Sequence, residues 1–220
     1  MPLHIGCRGF FLNIRNLMKL YFSPGACSLS PHIALLEAGL EFNLERVDLR
    51  GGKQTASGAD FHAINPKGYV PALELKDGTV LTEGPAIVQF IADLAPERQL
   101  APGQGTLERY QLMSLLSFIS TELHKNFGPL FRPASTEDMK EAARTMLNTR
   151  LAWVAQQLAD RDYLMGTQFT VADAYLFTVL SWAAFVQFDL SAWPALAAYL
   201  QRVGARPAVQ QALRDEGLVK

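Results

Sequence analysis

Cysteine is almost missing from this chain: Cys7 and Cys27 are the only two in 220 residues. Two thiols make no disulfide framework, and no CxxC pair or Cys/His cluster offers a zinc site, so no metal is expected. Also missing is any unbroken apolar run near the roughly 20 residues that span a bilayer. Charge of one sign is not in excess either, the formal net charge being −1. Neither nucleic acid nor a membrane surface is therefore expected as a partner. No internal repeat or low-complexity tract occurs, and a reducing, cytoplasmic setting is the expectation. What remains is 49% hydrophobic and 19% charged, the balance of a globule with a sizeable core rather than of a disordered chain.

The first seventeen residues, "MPLHIGCRGFFLNIRNL", carry Arg8 and Arg15 among apolar pieces too short and broken for a secretory segment. They read as an N-terminal extension, 1–17, in which Cys7 has no assigned role. From Met18 the signals alternate. "KLYF" and "EFNLERVDL" are strand-like, and between them "CSLSPHIALLEAGL" sets Ile33, Leu36 and Leu40 on a helical period with Gly39 at the stop. "VPALEL" and "TVLTE" flank Asp77-Gly78, a hairpin signal, and the amphipathic "PAIVQFIADLA" follows. Strand, helix, strand, loop, hairpin and helix imply a mixed sheet with helices packed on it, over 18–95.

A linker over 96–104 leads into a chain that is helix-patterned nearly throughout, 105–220. "LERYQLMSLLSFISTELHKNF" reads as one long helix and "TEDMKEAARTMLNTRLAWVAQQLAD" as another. "TVADAYLFTVLSWAAFV" opens with Thr170 and Asp173 three apart, a capping box with Asp in the usual Glu position. Pro194 and Pro207 stand at the starts of two shorter helices, where a missing N–H is harmless.

Four features bear on chemistry, each with two readings. Cys27 follows a Pro-Gly turn at the start of a helix; it is either a small buried hydrophobe or a thiol whose pKa the helix amides and dipole depress. Ser28 and Ser30, in the same turn, offer hydroxyl donors. In "NPKGYVPAL", Val70 keeps both backbone groups beside Pro71. That is an ordinary edge-strand proline, or a strand edge, with a cis bond, that pairs with a peptide-like ligand. In "LTEGPAIVQF", Glu83 either caps the coming helix or takes a ligand's ammonium, while amides there take its carboxylate. On the long helix Ser114, Ser117, Thr121 and His124 form a polar stripe. It faces solvent, or it lines a cleft in which His124 donates or accepts a proton.

Taken together, "SPGACSLSPHIALLEAG", "INPKGYVPALEL", "LTEGPAIVQFIADL", "TELHKNFGPLFRP", "QFTVADAYLFTVL" and "RPAVQQAL" resemble the cytosolic glutathione transferases, the bacterial beta class most closely. The six motifs stand in family order and the resemblance runs from Met18 to about Leu218. It implies an α/β thioredoxin-like N-terminal domain, an all-α C-terminal domain, a homodimer, and glutathione as co-substrate. Cys27 matches the class's active-site cysteine, and Val70 the residue whose backbone pairs with the cysteine of glutathione. Glu83 and Gly84 match the pair holding the γ-glutamyl end. Thr121, Glu122, Leu123 and His124 match a helix segment at the site, with His124 near the thiol. Two departures stand out. Ser117 replaces an asparagine that reaches the glutathione of the other subunit, leaving a weaker or water-mediated contact. Gly52 replaces a lysine near the glycyl carboxylate, a task that falls to Lys53. Phe22, where some relatives carry tyrosine, lacks a hydroxyl, and Tyr21 points to the other face of a regular strand.

The expected activity is conjugation of reduced glutathione to a small hydrophobic electrophile, with Cys27, Ser28 and His124 around the sulfur. Phe127, Phe131 and Trp182 are candidates for the electrophile pocket or for core. Two alternatives remain: a glutathione-dependent disulfide reductase working through a Cys27 mixed disulfide, and a binder of hydrophobic ligands without catalysis.

Overall fold

The structure, a computed structural model, describes residues 18–219. The expected extension 1–17, with Cys7, lies outside the described residues. The first unit holds a five-stranded sheet in the order β3-β2-β1-β4-β5. Strand β1 (Met18–Phe22) leads through helix α1 (Leu29–Ala38) to β2 (Phe42–Asp48), which pairs parallel with β1. Parallel pairing requires such a crossover, and the apolar face of α1 supplies its packing. Gly39 ends α1 at φ 65°, a left-handed position where a side chain would be strained, and a Cβ there would stand 2.8 Å from Arg98 Nη2.

Two short elements occupy what the sequence leaves as a loop: β3 (Gln54–Thr55), antiparallel to β2, and α2 (Phe61–Ile64), capped by the Asp60 carboxylate. Their shortness hides any period, and the Asp60 cap is their only local signal. The expected hairpin follows as β4 (Ala72–Glu74) and β5 (Val80–Thr82), and then α3 (Gly84–Leu94). Alternation along β1 divides the core. Met18, Leu20 and Phe22 join the large apolar cluster under α1 and α3, whereas Tyr21 lies on the opposite face with Val47, Phe61, Val70 and Ala72. There its hydroxyl meets Glu74 Oε2 at 2.5 Å.

Beyond a 3₁₀ turn (Pro96–Arg98) the chain is helical: α4 (Leu107–Phe118), α5 (Lys125–Phe131), α6 (Glu137–Gln157), α7 (Val171–Phe185), α8 (Pro194–Gly204) and α9 (Pro207–Asp215). The expected single long helix is interrupted without a break by a π segment, Ile119–His124, between α4 and α5. Pro129 stands in the following turn, where it has no N–H to give to the i−4 carbonyl of Lys125. Thr121 Oγ1 bonds Ser117 O and Asn126 Nδ2 bonds Glu122 O, so side chains take carbonyls within the altered turn.

Helix α7 is buried nearly all round. Its capping box is formed: Asp173 Oδ2 accepts from Thr170 N at 2.9 Å and Thr170 Oγ1 at 3.0 Å, and Oδ1 accepts from Leu164 N at 2.9 Å and Tyr199 Oη at 3.0 Å. The fold is therefore thioredoxin-like at the N-terminal end and all-α beyond, with one apolar cluster running from β1 through α1 and α3 into α4, α6 and α7. Two arginines clamp the units at its edges. Arg109 of α4 makes a bidentate pair with Asp93 of α3 at 2.8 and 2.9 Å, and Arg206 does the same with Glu37 of α1 at 2.6 and 2.8 Å.

Candidate functional site

The turn between β1 and α1 places Cys27 against the loop that precedes β4. Its sulfur lies 3.1 Å from the Val70 carbonyl oxygen, to which the thiol donates. The Val70–Pro71 bond is cis. Burial pushes the Cys27 thiol up to about 12; the amides of Cys27 and Ser28 pull it back, and the charges of Glu83 and Glu216 add to the rise. Of the two readings of Cys27, this direction agrees with the buried thiol and not with the depressed pKa. Burial is the larger cause; the Leu29 and Ser30 amides bond the carbonyls of Ala26 and Cys27, which leaves only the Cys27 and Ser28 amides to oppose it.

Ser28, expected as a donor beside the sulfur, is engaged elsewhere. Its hydroxyl donates to Ser23 O at 3.3 Å and accepts from Ser23 N at 3.2 Å, so it shapes the turn. Ser30 Oγ is buried with no hydrogen-bond partner among the described residues.

Glu83 and Gly84 open α3 beside the same loop, where a Cβ on Gly84 would stand 3.9 Å from Pro71 Cγ. Glu83 sits at φ 70°, and its side chain makes no capping bond. The capping reading is therefore excluded. Instead Oε1 accepts from Lys67 Nζ at 2.6 Å, which holds the carboxyl below its ordinary range. Of the first amides of α3, Pro85 has none, while Ala86 and Ile87 both bond Glu83 O. The Gly84 N–H is left as the amide open to an acceptor among the described residues. Lys53, at φ 56°, turns its ammonium over Gly68, where a Cβ would meet Nζ at 2.7 Å and His62 Cε1 at 2.4 Å. A glycine is needed at that crossing.

From the helical unit, His124 comes in on the π segment. Its Nδ1 is 2.7 Å from Tyr175 Oη, and its ring centroid is 4.7 Å from that of Trp182. Burial, with Lys125 beside it, lowers the imidazole pKa to about 4, so His124 is neutral at pH 7. The Trp182 indole donates to Gly25 O at 2.8 Å and so ties His124's neighbourhood to the Cys27 turn. The hydrogen bond of His124 goes to Tyr175, not to the sulfur.

The expected polar stripe is split: Ser114, Ser117 and Thr121 are exposed, while His124 is turned inward. The wider π turn changes the helical phase between Thr121 and His124. Glu122 pairs with Arg150 at 2.7 Å and Leu123 is core, while His124 meets Trp182, whose indole is bonded to the Cys27 turn. Phe127 and Trp182 are buried, and Phe131 is exposed at the rim with its ring 5.8 Å from Trp182.

Sequence reasoning gave no role to Tyr175, His32 or Glu216. Glu216 is buried, accepting from Gly25 N at 2.8 Å and meeting His32 Nδ1 at 2.9 Å. A glutamate nearly two hundred residues from the turn that it holds carries no local signal. Among the described residues no group of three or more His, Cys, Asp or Glu is placed to hold a metal ion.

Comparison with known proteins gives this geometry a family. Residues 25–94 match the model "Glutathione S-transferase, N-terminal domain" and 118–207 match "Glutathione S-transferase, C-terminal domain". The chain is 50% identical over 201 residues to glutathione S-transferase GstA of Escherichia coli O157:H7, covering 91% of this chain and 100% of that one. The chain belongs to the glutathione S-transferase family. Among its structural neighbours is a bacterial beta class glutathione S-transferase of Sphingomonas chungbukensis, with a TM-score of 0.88 at 50% identity over 91% of this chain and 100% of that one. The ternary complex of BphK, a bacterial GST, superposes with a TM-score of 0.89 at 62% identity, over 90% of this chain and 99% of that one. A sphingomonad glutathione S-transferase complexed with glutathione gives 0.88 at 50% identity, over 91% and 100%. As a glutathione S-transferase, the chain joins the loop backbone at Val70, a thiol at Cys27 and a charged pair at Glu83 within one family frame.

Proposed function

We propose that this glutathione transferase conjugates reduced glutathione to small hydrophobic electrophiles. Residues 18–95 hold the tripeptide, and 105–220 hold the electrophile. The observation that carries the reading is Cys27 Sγ at 3.1 Å from the Val70 carbonyl, beside Glu83 and the open Gly84 N–H. The tripeptide's chemistry fits those groups in turn. Its cysteinyl amide pairs with the Val70 backbone, its γ-glutamyl ammonium meets Glu83, and the adjoining carboxylate meets Gly84 N–H. Lys53 supplies a cation for the glycyl carboxylate.

In the conjugation step the glutathione sulfur forms a C–S bond to the electrophile. An aryl chloride leaves as chloride with its bonding electrons, and the thiol proton passes to solvent. A Cys27 thiol with a pKa near 12 is protonated; when glutathione binds, its S–H turns from Val70 O to the glutathione thiolate and favours that anion. Neutral His124 and Tyr175 line the same side, with Phe131 at the rim of the electrophile pocket. The disulfide-reductase alternative needs Cys27 as thiolate, which burial of the thiol disfavours. The direction of that shift favours conjugation.

Exposed Tyr110 and Met113 on α4, with Met146 and Trp153 on α6, support a homodimer, in which Ser117 lies where a partner's glutathione contact falls. Sedimentation at micromolar concentration tests it. No helix among the described residues is long and apolar enough to cross a membrane. We assign the protein to the cytoplasm, where glutathione stays reduced.

The test is calorimetric titration with reduced glutathione, followed by assays of aryl chloride conjugation and of mixed-disulfide reduction on wild type and Cys27→Ala. Saturable binding with conjugation retained in Cys27→Ala is expected. Collapse of disulfide reduction alone would give Cys27 the mixed-disulfide step, and survival of both activities would make it the nucleophile in neither. Binding of hydrophobic ligands without turnover would make the protein a binder.

A further inference from the structure

The loop before β4 sends two side chains to one atom of Glu83. Lys67 Nζ lies 2.6 Å from Glu83 Oε1 and 3.0 Å from Thr82 Oγ1, and Tyr69 Oη lies 3.4 Å from the same Oε1. Glu83 Oε2 has no hydrogen bond among the described residues. Lys67 and Glu83 are both substantially exposed, at 44% and 54% of their side-chain areas. An ion pair in that setting adds little to stability. Its effect is on direction: a glutamate without a capping bond has free rotamers, and these contacts select one.

We propose that Lys67, with Tyr69 beside it, is a positioning residue that fixes Glu83 by Oε1 and presents Oε2 to the γ-glutamyl ammonium. The inference rests on the reading of this site as a glutathione site. The incoming head group is a zwitterion. Repulsion between Lys67 and its ammonium is offset by attraction to its carboxylate, which lies at the neighbouring Gly84 N–H. Orientation of Glu83 is then the larger contribution of Lys67. This makes Lys67 a specificity determinant for thiols that carry a free α-amino-acid head.

The test compares wild type, Lys67→Met and Lys67→Arg with glutathione and with cysteinylglycine, which lacks the γ-glutamyl group. Lys67→Met should raise the Kd and KM for glutathione by about three- to tenfold, the scale of one exposed charge-assisted hydrogen bond, with kcat unchanged. Lys67→Arg should restore most of the loss, and both variants should treat cysteinylglycine as wild type does. An unchanged or lowered glutathione Kd in Lys67→Met, with wild-type binding intact, overturns the inference alone. So does an equal loss toward cysteinylglycine. Wild-type protein that does not bind glutathione overturns the reading of the site together with the inference.

Discussion

The chemistry of single residues here is decided by what surrounds them rather than by their type. Cys27 is less acidic than its place at a helix start suggests, because burial outweighs the two amides, of Cys27 and Ser28, that favour its anion. Alkylation by iodoacetamide, followed by mass spectrometry of the Cys27 peptide, should therefore climb about tenfold per pH unit from 7 to 10 without a plateau. A plateau near pH 7 would reveal a thiolate and return the disulfide-reductase reading to first place. His124 provides a second check. Its folded pKa of about 4 lies below the ordinary 6.5, so the stability it contributes is present above pH 6.5 and lost as pH falls toward 4. Between pH 7.5 and 5 the wild type should lose about 2 kcal/mol more than His124→Gln in urea denaturation. Asp173 works in the other sense: burial holds it up to about 6, so its contribution is lost as pH rises through 6. The comparison with the variant cancels that opposing slope.

Among the elements, α7 and the π segment matter most to the site. Helix α7 carries Tyr175 and Trp182, and its direction is set at its N-terminus by the Thr170–Asp173 box. Thr170→Ala should cost about 1 kcal/mol, the usual worth of a cap. Asp173→Ala should cost more, on the order of 3 kcal/mol, since it leaves several buried donors unpaired. Equilibrium unfolding with unchanged m-values would measure both, and equal costs would show that the carboxylate acts only as a cap. The box was legible in the sequence because it is a three-residue pattern. The π segment was not. Ile119–His124 has the composition of an ordinary amphipathic helix, and its extra residue per turn is visible only once His124 meets Tyr175 while Thr121 faces solvent.

For the whole molecule, the two units act as one because the C-terminal end reaches back to the turn that holds the thiol. Glu216 joins Gly25 N to His32, and Trp182 closes the same turn from Gly25 O. Glu216→Ala should destabilise the protein by on the order of 3 kcal/mol, since it strands a part-buried amide and a buried imidazole. It should also speed Cys27 alkylation by loosening the turn. Loss of stability with no change in alkylation rate would separate the clamp from the geometry of the turn.

The sequence by itself determined the fold class, the family, and the segments that form the site. Those depend on short-range patterns: the hairpin Asp77-Gly78, the stop at Gly39, the capping box, and the order of six motifs. Tertiary structure alone decided which side chains within those segments meet. Ser28 turned to Ser23, Glu122 to Arg150 and Leu123 to the core; Lys67 reached Glu83 from the Val70 segment, and Tyr175 and Glu216 came from far along the chain. The physical reason is range. Periodicity and turn chemistry act over a few residues, but the desolvation that raises Cys27 and lowers His124 depends on every chain segment packed around them.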